Sequence, residues 1–367
     1  MKKIVIGMTG FGYMGKIHLL GYRDIPMIYS DKLPEIVMKA VCRSSQKMAD
    51  RCAIENGFTN GYSSFDEMLQ DDEINIIDIV TPNYLHKEQI IKALKAGKDV
   101  LCEKPLGLNA KEAEEISSVV KQTGRQLGMV FNYRFIPAIQ QAKRWIEDGR
   151  LGKVYSFRGE YFHSGYQDAK RPLTWRMRKE QSGGGALVDM GVHVLDLIRF
   201  LLGEFESVSG KTQTFIGERP LPDNSEKMGD VTVDDVAWLT ARLKGGATGT
   251  VEISRFATGS LDDLKISAFG EKGAFKFDLM DANYLYWYEN GQGWRRVETL
   301  QHYEDTKFPS PRSIIGWTRF HTENQYRFLE SIIFGNLLSP DVSDGVAAQR
   351  ILDAVYKSAE TGLEESL

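Results

Sequence analysis

The sequence is poor in the features that mark membranes, disulfide frameworks and nucleic-acid surfaces. Nowhere in its 367 residues is there an apolar run near the ~18 residues of a spanning helix. The apolar stretch after Lys2-Lys3 breaks at Gly7, short of the ~7–15 residues of a signal-peptide core, so a cytoplasmic location and no membrane partner are expected. Cys42, Cys52 and Cys102 are an odd set without C-x-x-C spacing. They read as reduced, small core side chains and not as bridges or redox groups. The 6 histidines form no H-x-x-x-H pair with a neighbouring glutamate and no Cys/His cluster, so no metal is expected. Positive charge is not in excess: 46 Lys and Arg face 50 Asp and Glu, a net charge of -4, which argues against nucleic acid as a partner.

What is present is globular. Hydrophobic residues make up 42% and charged residues 26%, which excludes disorder as the main state, and the length suits roughly two domains of ~150 residues. The 35 glycines exceed the usual share of ~7% and point to tight turns or close backbone approach.

Over the first third, short β-rich runs alternate with helical stretches, as in a parallel sheet with crossover helices. Strands are expected at Ile4–Met8, Ile36–Cys42, Ile74–Val80, Val100–Glu103 and Leu127–Phe131. Helices should begin near Met14, after Ser64 (Ser64 with Glu67 has capping-box spacing), at His86 running to Ala96 with Gly97 as its cap, and after Asn109. Beyond Phe131 the texture changes. A helix near Pro137–Asp148 leads to strands at Val154–His163, Asp235–Leu243, Thr248–Phe256, Leu264–Phe269, Ala274–Asp278, Tyr284–Glu289 and Gly293–Val297. Their connections are hairpin chemistry, and Asn290-Gly291 favours a type I′ turn. A helix from about Gly185 to Leu202 and two near the end (Glu323–Phe334, Gly345–Thr361) should cover one face, while Gly217–Asp230 and His302–Pro311 read as loops. The expected fold class is α/β: a Rossmann dinucleotide-binding domain over 1–131, then an α+β domain over 132–367 with a large, mostly antiparallel open sheet.

Gly10-Phe11-Gly12-Tyr13-Met14-Gly15 matches G-x-G-x-x-G between an expected strand and an expected helix. The first glycine permits the tight turn, the second lets backbone amides approach a pyrophosphate, and the third allows close helix–strand packing. At the end of the second strand, Cys42-Arg43-Ser44-Ser45 offers no carboxylate for the ribose hydroxyls of NAD, and the next acid, Asp50, lies deep in the following helix. A 2′-phosphate attracts a guanidinium and hydroxyl donors, so Arg43 and Ser44 favour NADP(H), with NAD(H) as the alternative if Arg43 only stacks on adenine.

Two further motifs carry chemistry. Glu103-Lys104-Pro105 sits at the C-terminal end of a parallel strand, where open α/β sheets bind ligands. Downstream, Ser182-Gly183-Gly184-Gly185 precedes Asp189 and His193, which are four apart and so share one helix face. The glycines there read as room for a ligand.

Together, Gly10-x-Gly12-x-x-Gly15, Thr81-Pro82-Asn83-x-x-His86, Glu103-Lys104-Pro105, Trp175-Arg176 and Gly184-Gly185-x-x-x-Asp189-x-Gly191-x-His193 resemble the Gfo/Idh/MocA oxidoreductases over nearly the whole chain. The resemblance implies that Lys104, Asp189 and His193 line a nicotinamide pocket and act in hydride transfer to or from a sugar or cyclitol carbon. It also implies a homodimer or homotetramer joined through the open sheet face. The missing acid after the second strand is the departure from the family pattern.

The chemistry suits these residue types. His193 is a general base matched to neutral pH, Lys104 can hold an ammonium against a developing alkoxide or act as a base of lowered pKa, and Asp189 can bond a substrate hydroxyl or orient the imidazole. The cofactor set is Gly10, Phe11, Gly12, Tyr13, Met14, Gly15, Arg43, Ser44, Thr81, Pro82, Asn83, His86, Glu103, Lys104 and Asn132. His86 is a capping or supporting group rather than a catalyst, His18 is structural, and Arg134, like Asn132, faces the cofactor or a domain junction. The substrate set is Lys104, Tyr161, Trp175, Arg176, Asp189 and His193, with His163 beside it; Tyr161, His163, Trp175 and Arg176 read equally as core or interface side chains. Two rival readings are a non-catalytic nucleotide or sugar sensor, against which the retained Lys104, Asp189 and His193 speak, and an NAD-assisted glycosidase.

Overall fold

The computed structural model describes residues 3–303 and 305–367. By internal contacts the chain forms two units: Met1–Asn132 with Tyr303–Pro311 and Gly316–Val346, and Tyr133–His302 with Arg312–Ile315 and Ala347–Leu367. The first unit is therefore discontinuous in sequence, unlike the contiguous 1–131 expected.

The first unit begins as β1 (Lys3–Thr9), α1 (Tyr13–Tyr29), β2 (Glu35–Cys42), α2 (Gln46–Asn56), β3 (Asn60–Tyr62), α3 (Phe65–Leu69), β4 (Ile76–Ile79), α4 (His86–Lys95), β5 (Asp99–Cys102), α5 (Ala110–Thr123) and β6 (Leu127–Met129). Among the described residues the six strands pair in parallel in the order β3-β2-β1-β4-β5-β6, the doubly wound arrangement. Helix ends follow their side chains: the hydroxyls of Ser45 and Ser64 and the Asn109 amide oxygen each accept from a backbone N–H in the first turn, satisfying donors that a helix leaves open. β3 has no sequence signature, since Asn60-Gly61-Tyr62 is short and carries glycine. A Cβ on Gly61 would stand 2.5 Å from the Ala49 carbonyl carbon. The three cysteines are free and buried, as expected.

The second unit contains α6 (Pro137–Glu147), β7 (Val154–Phe162), α7 (Lys179–Ser182), α8 (Val192–Leu202), β8 (Phe205–Gln213), β9 (Glu218–Leu221), β10 (Asn224–Asp230), β11 (Val236–Leu243), β12 (Thr248–Ser254), β13 (Asp263–Gly270), β14 (Gly273–Asp278), β15 (Tyr284–Glu289) and β16 (Gly293–Glu298), with β17 (Glu365–Ser366) at the end. Among the described residues a nine-stranded sheet runs β16-β15-β14-β13-β7-β12-β11-β8-β17. It is antiparallel except for the β12–β7 pair. α8 packs on β7 where Gly159 makes room, since a Cβ there would meet Val194 Cγ1 at 2.5 Å. The alternation in β11 leaves Trp238, Thr240 and Arg242 exposed on the other face.

Three expectations are corrected here. Gly217–Asp230 is not a loop: β9 and β10 form a small antiparallel pair, hidden by its prolines and by its exposed, polar residues. β8 was missed because Phe205–Gln213 lacks regular alternation, with Gly210 fitted against Val355. The Asn290-Gly291 turn is not type I′, because three residues separate the paired Glu289 and Gly293 and only the glycines take positive φ. His302–Pro311 has no regular element among its described residues, and Glu304 lies outside them.

α9 (Trp317–Phe334) begins six residues before the expected Glu323, and α10 (Val342–Thr361) follows it. α9 belongs to the first unit because it completes that unit's core. Tyr326, Phe328 and Leu329 join Ile4, Leu19, Tyr22, Ile25 and Tyr29 in one buried cluster, and Tyr29 stacks on Tyr326 with ring centroids 3.5 Å apart. The α9 face toward α1 also carries polar groups, which obscures its start in the sequence: Gln325 donates to the His18 carbonyl at 2.9 Å.

Candidate functional site

In the first unit the glycine loop is shaped as a cofactor turn requires. Gly10 has φ +85, and a Cβ there would stand 2.8 Å from the Val80 carbonyl oxygen, while nothing lies within 4 Å of a Cβ on Gly12. α1 starts at Gly12 without a side-chain cap, so first-turn amides and open space face the same approach. This fits a dinucleotide pyrophosphate. Phe11 and Gly15 are buried under the loop, and Tyr13 is exposed. Arg43 lies against this loop, its Nη1 donating to the Phe11 carbonyl at 2.9 Å, and Ser44 is exposed beside it.

The turn carrying Lys104 follows β5 and is held from two sides. On one side His86, fully buried, directs Nδ1 at the Pro105 carbonyl (2.7 Å) and Nε2 at the Thr81 carbonyl (3.0 Å). Both nitrogens are occupied by backbone, so His86 braces the two strand-end turns and has no ring nitrogen left to bond a cofactor. Thr81 donates to Gln89, and Asn83 is buried next to Pro82. On the other side His18, one turn into α1, bridges Asp78 (2.9 Å) and Glu103 (3.1 Å), and Glu103 also accepts from the Lys104 N–H at 3.2 Å. Glu103 is thus an internal strut; Lys104 itself is half-buried.

The fold also gathers a set that sequence spacing could not reveal: candidate ligand atoms of His18, Glu103 and His321 lie within 4.8 Å of one another. Both His18 nitrogens are already taken by carboxylates, which makes the group an ion-pair network. Burial alone would lower the His18 pKa, but Asp78 and Glu103 outweigh it and raise it to about 10. Burial would raise Glu103, but the His18 hydrogen bond and charge, with Lys104, hold it at about 2. Burial, with His18 and Lys104 adding to it, pushes His321 down to about 3. Asn132, expected at the cofactor, is buried with its side-chain nitrogen 2.9 Å from His321 Nε2.

In the second unit Asp189 lies on a π turn, Leu187–Gly191, that runs into α8, where His193 follows. Such wide turns are frequent at functional positions. Asp189 accepts from Arg255 Nη2 at 3.0 Å. Arg255 is 1% exposed, packs its guanidinium on the Tyr166 ring at 4.4 Å, and has no hydrogen-bond partner at Nε or Nη1. His193 is buried with its ring 4.7 Å from that of Tyr133. The hydroxyls of Tyr133 and Tyr161 are 2.8 Å apart, Tyr161 donates to Asp262 at 2.6 Å, and His163 Nε2 reaches the same carboxylate at 3.0 Å. Burial would raise Asp262, but these two donors outweigh it and lower its pKa.

Trp175 and Arg176 pack on each other in a short 3₁₀ turn, guanidinium to ring 4.4 Å. Arg134 forms a buried ion pair with Asp196. The glycines before Asp189 are also not room for a ligand. A Cβ on Gly185 would stand 1.8 Å from the Asp234 carbonyl oxygen, and one on Gly184 2.0 Å from the Tyr356 hydroxyl. Arg255, Asp262, Asp234 and Tyr356 carry no motif, and only the fold assembles them.

Known proteins share both halves of this arrangement. Residues 4–131 match a family model described as an oxidoreductase family with an NAD-binding Rossmann fold, and residues 139–276 match a GFO/IDH/MocA C-terminal domain. The chain belongs to the Gfo/Idh/MocA oxidoreductase family. The levoglucosan dehydrogenase of Pseudarthrobacter phenanthrenivorans is 33% identical over 98% of this chain and 97% of its own length. The scyllo-inositol 2-dehydrogenase (NAD(+)) of Bacillus subtilis is 34% identical over 62% of this chain and 61% of its own. A solved levoglucosan dehydrogenase in complex with NADH and L-sorbose superposes with a TM-score of 0.94 at 34% identity, covering 99% of this chain and 98% of that one. Nicotinamide-dependent oxidoreduction on sugars, the activity expected from the sequence, is supported by the NAD-binding family model and by these dehydrogenases. Among the described residues no helix is long and apolar enough to cross a membrane.

The ion-pair network makes stability depend on pH in both directions. His18 holds its proton to about pH 10 when folded and to about 6.5 when unfolded, so its contribution is full below 6.5 and lost as pH rises toward 10. His321 refuses a proton until about pH 3 when folded, so stability falls as pH drops from 6.5 toward 3. Glu103, held near 2 against an ordinary 4.5, adds to the acid loss only below about 4.5. The thermal midpoint should therefore peak near neutrality, and His321→Asn should flatten the acid limb while leaving the alkaline limb. A variant curve that overlays the wild type on the acid side would contradict this assignment.

Proposed function

We propose that the chain oxidises a secondary alcohol of a pyranose sugar or cyclitol, or reduces the matching ketone, with His193 as proton acceptor. When bound, the nicotinamide dinucleotide supplies the ring that takes or gives the hydride. The observation that carries the reading is the setting of Asp189, held by a buried arginine four residues before a histidine on one helix. A guanidinium stays charged throughout the working pH range, so the carboxylate beside it serves as a hydrogen-bond acceptor for a substrate hydroxyl. That leaves the proton to His193, an imidazole of the type suited to transfer near neutral pH. Lys104 contributes an ammonium that stabilises the developing alkoxide. Tyr161, with Asp262 and His163 behind it, and Trp175 with Arg176 complete the substrate-recognising set.

For the cofactor, the loop Gly10–Gly15 and Lys104 are the contacts we favour. With no carboxylate after β2 to repel a 2′-phosphate, and with Arg43 and Ser44 there instead, acceptance of NADP(H) in preference to NAD(H) is part of the proposal. The assembly is proposed to be a homodimer or homotetramer joined through the open sheet face, which exposes Trp238.

Two measurements test these roles. Anhydrosugars (levoglucosan first), aldoses, inositols and their keto forms are offered with both cofactors, and reduced nicotinamide is followed by absorbance. On any active compound, His193→Ala and Lys104→Ala should each lower kcat by about 100-fold or more; undiminished turnover in either removes that residue from the chemistry. Arg43→Ala should weaken NADP(H) binding about tenfold, the size of one charge-assisted bond, and NAD(H) binding by much less. Equal losses for the two would refute the preference.

A further inference from the structure

We propose that Asp234 is the positioning residue of the helix that carries Asp189 and His193, an inference that rests on the catalytic reading of that helix given above. A helix start leaves backbone N–H groups without partners, and here no flanking side chain caps them. Asp234, far along the chain at the entry to β11, takes three in succession. Its Oδ1 accepts from the Gly185 N–H at 2.8 Å, its carbonyl from Ala186 at 2.9 Å, and its Oδ2 from Leu187 at 2.8 Å. The Tyr356 hydroxyl, on α10, donates to Oδ1 at 2.6 Å and sits 3.2 Å from the Gly185 nitrogen. Asp234 is 5% exposed, so this is a dry, fully engaged carboxylate and not a frayed surface cap.

The neighbouring glycines are explained by it. Gly184 and Gly185 are the positions where any Cβ would collide with Tyr356 and Asp234; the glycine run admits the clamp. The next residue extends the same anchor to the side chain of Asp189. The Asp235 carbonyl accepts from the Arg255 N–H at 2.9 Å, and Arg255 holds Asp189. One dipeptide, Asp234-Asp235, thus sets the backbone origin of the helix and the arginine that orients its carboxylate. The π turn that opens at Leu187 runs directly into α8, where His193 is the second residue, so a shift at Gly185 or Leu187 displaces the start of α8 and His193 with it. Since ~1 Å of misplacement can cost ~10²-fold in rate, the clamp acts on turnover and not on cofactor binding, whose residues lie in the first unit.

The test compares Asp234→Ala, Asp234→Asn and Tyr356→Phe with wild type on the most active sugar of the panel, alongside His193→Ala and the double variant Asp234→Asn/His193→Ala. Each is also titrated with NAD(H) by fluorescence. Asp234→Ala should lower kcat at least tenfold, Asp234→Asn less because one acceptor oxygen remains, and Tyr356→Phe two- to fivefold, all with NAD(H) affinity within twofold of wild type. In the His193→Ala background Asp234→Asn should cost clearly less than it does alone, because the part of its effect that acts through His193 is already lost. If Asp234→Ala does not fold, Asp234→Asn and Tyr356→Phe decide. Turnover within twofold of wild type in the folded variants, a parallel loss of NAD(H) affinity, or losses that multiply in the double variant would overturn the clamp while leaving His193 in place. Full turnover by His193→Ala would overturn both the catalytic reading and this inference.

Discussion

An ionised carboxylate taken out of water must be surrounded by donors, because an unpaired buried charge costs several kcal/mol, and in this protein that constraint organises both units. Asp78 and Glu103 are buried at neighbouring strand ends, and the cation they share, His18, belongs to the first helix after the glycine loop. The price of burying the pair is met only when α1, β4 and the turn after β5 stand in one arrangement. The lysine turn is therefore fixed by the same helix whose first amides are open to a phosphate. In the second unit the buried Asp234 is engaged by backbone amides and a tyrosine, and the half-buried Asp189 and Asp262 are held by Arg255 and by Tyr161 with His163. Each removes a degree of freedom from a side chain that bears on chemistry.

Glycine serves two opposite ends in the two units. At Gly12 the missing side chain leaves open space, and the backbone is presented to something outside the protein. At Gly184 and Gly185 the missing side chains are replaced at once by protein atoms, and the backbone is presented to a clamp. The two glycine runs look alike in the sequence, and only the neighbours distinguish a binding loop from a packed one.

That difference marks how far the sequence could be read. The β1–loop–α1 unit was legible because turn, strand and helix signals are all local: Ile4-Val5-Ile6 is buried on both faces, and Gly10 needs its positive φ. Lys104 and the Asp189/His193 pair were legible as motif positions. The roles of their partners were not, since His321 reaches His18 across some 300 residues of chain and Asp234 lies 49 positions beyond Gly185. Nothing in the residue types around 234 or 255 announces those pairings. α9 was placed in the wrong domain for the same reason. Its polar, half-amphipathic face is complementary to α1, and complementarity between distant segments has no signature in either one.

On the proposed reading, the same distribution of charge bears on which alcohols the second unit accepts. A sugar hydroxyl always has a proton to donate, and an acceptor held in place by the protein favours a substrate that presents one there. Asp189 and Asp262, both half-buried, have their orientation fixed by donors on the protein side. Sites built to bond a hydroxyl can reject the analogue lacking it by ~10⁴-fold, far more than an apolar pocket achieves against an added methylene. Discrimination among deoxy and epimeric sugars should accordingly reside in carboxylates whose own partners are a buried arginine, a tyrosine and a histidine. Exchanging those partners alters selectivity without touching the residues that move the proton.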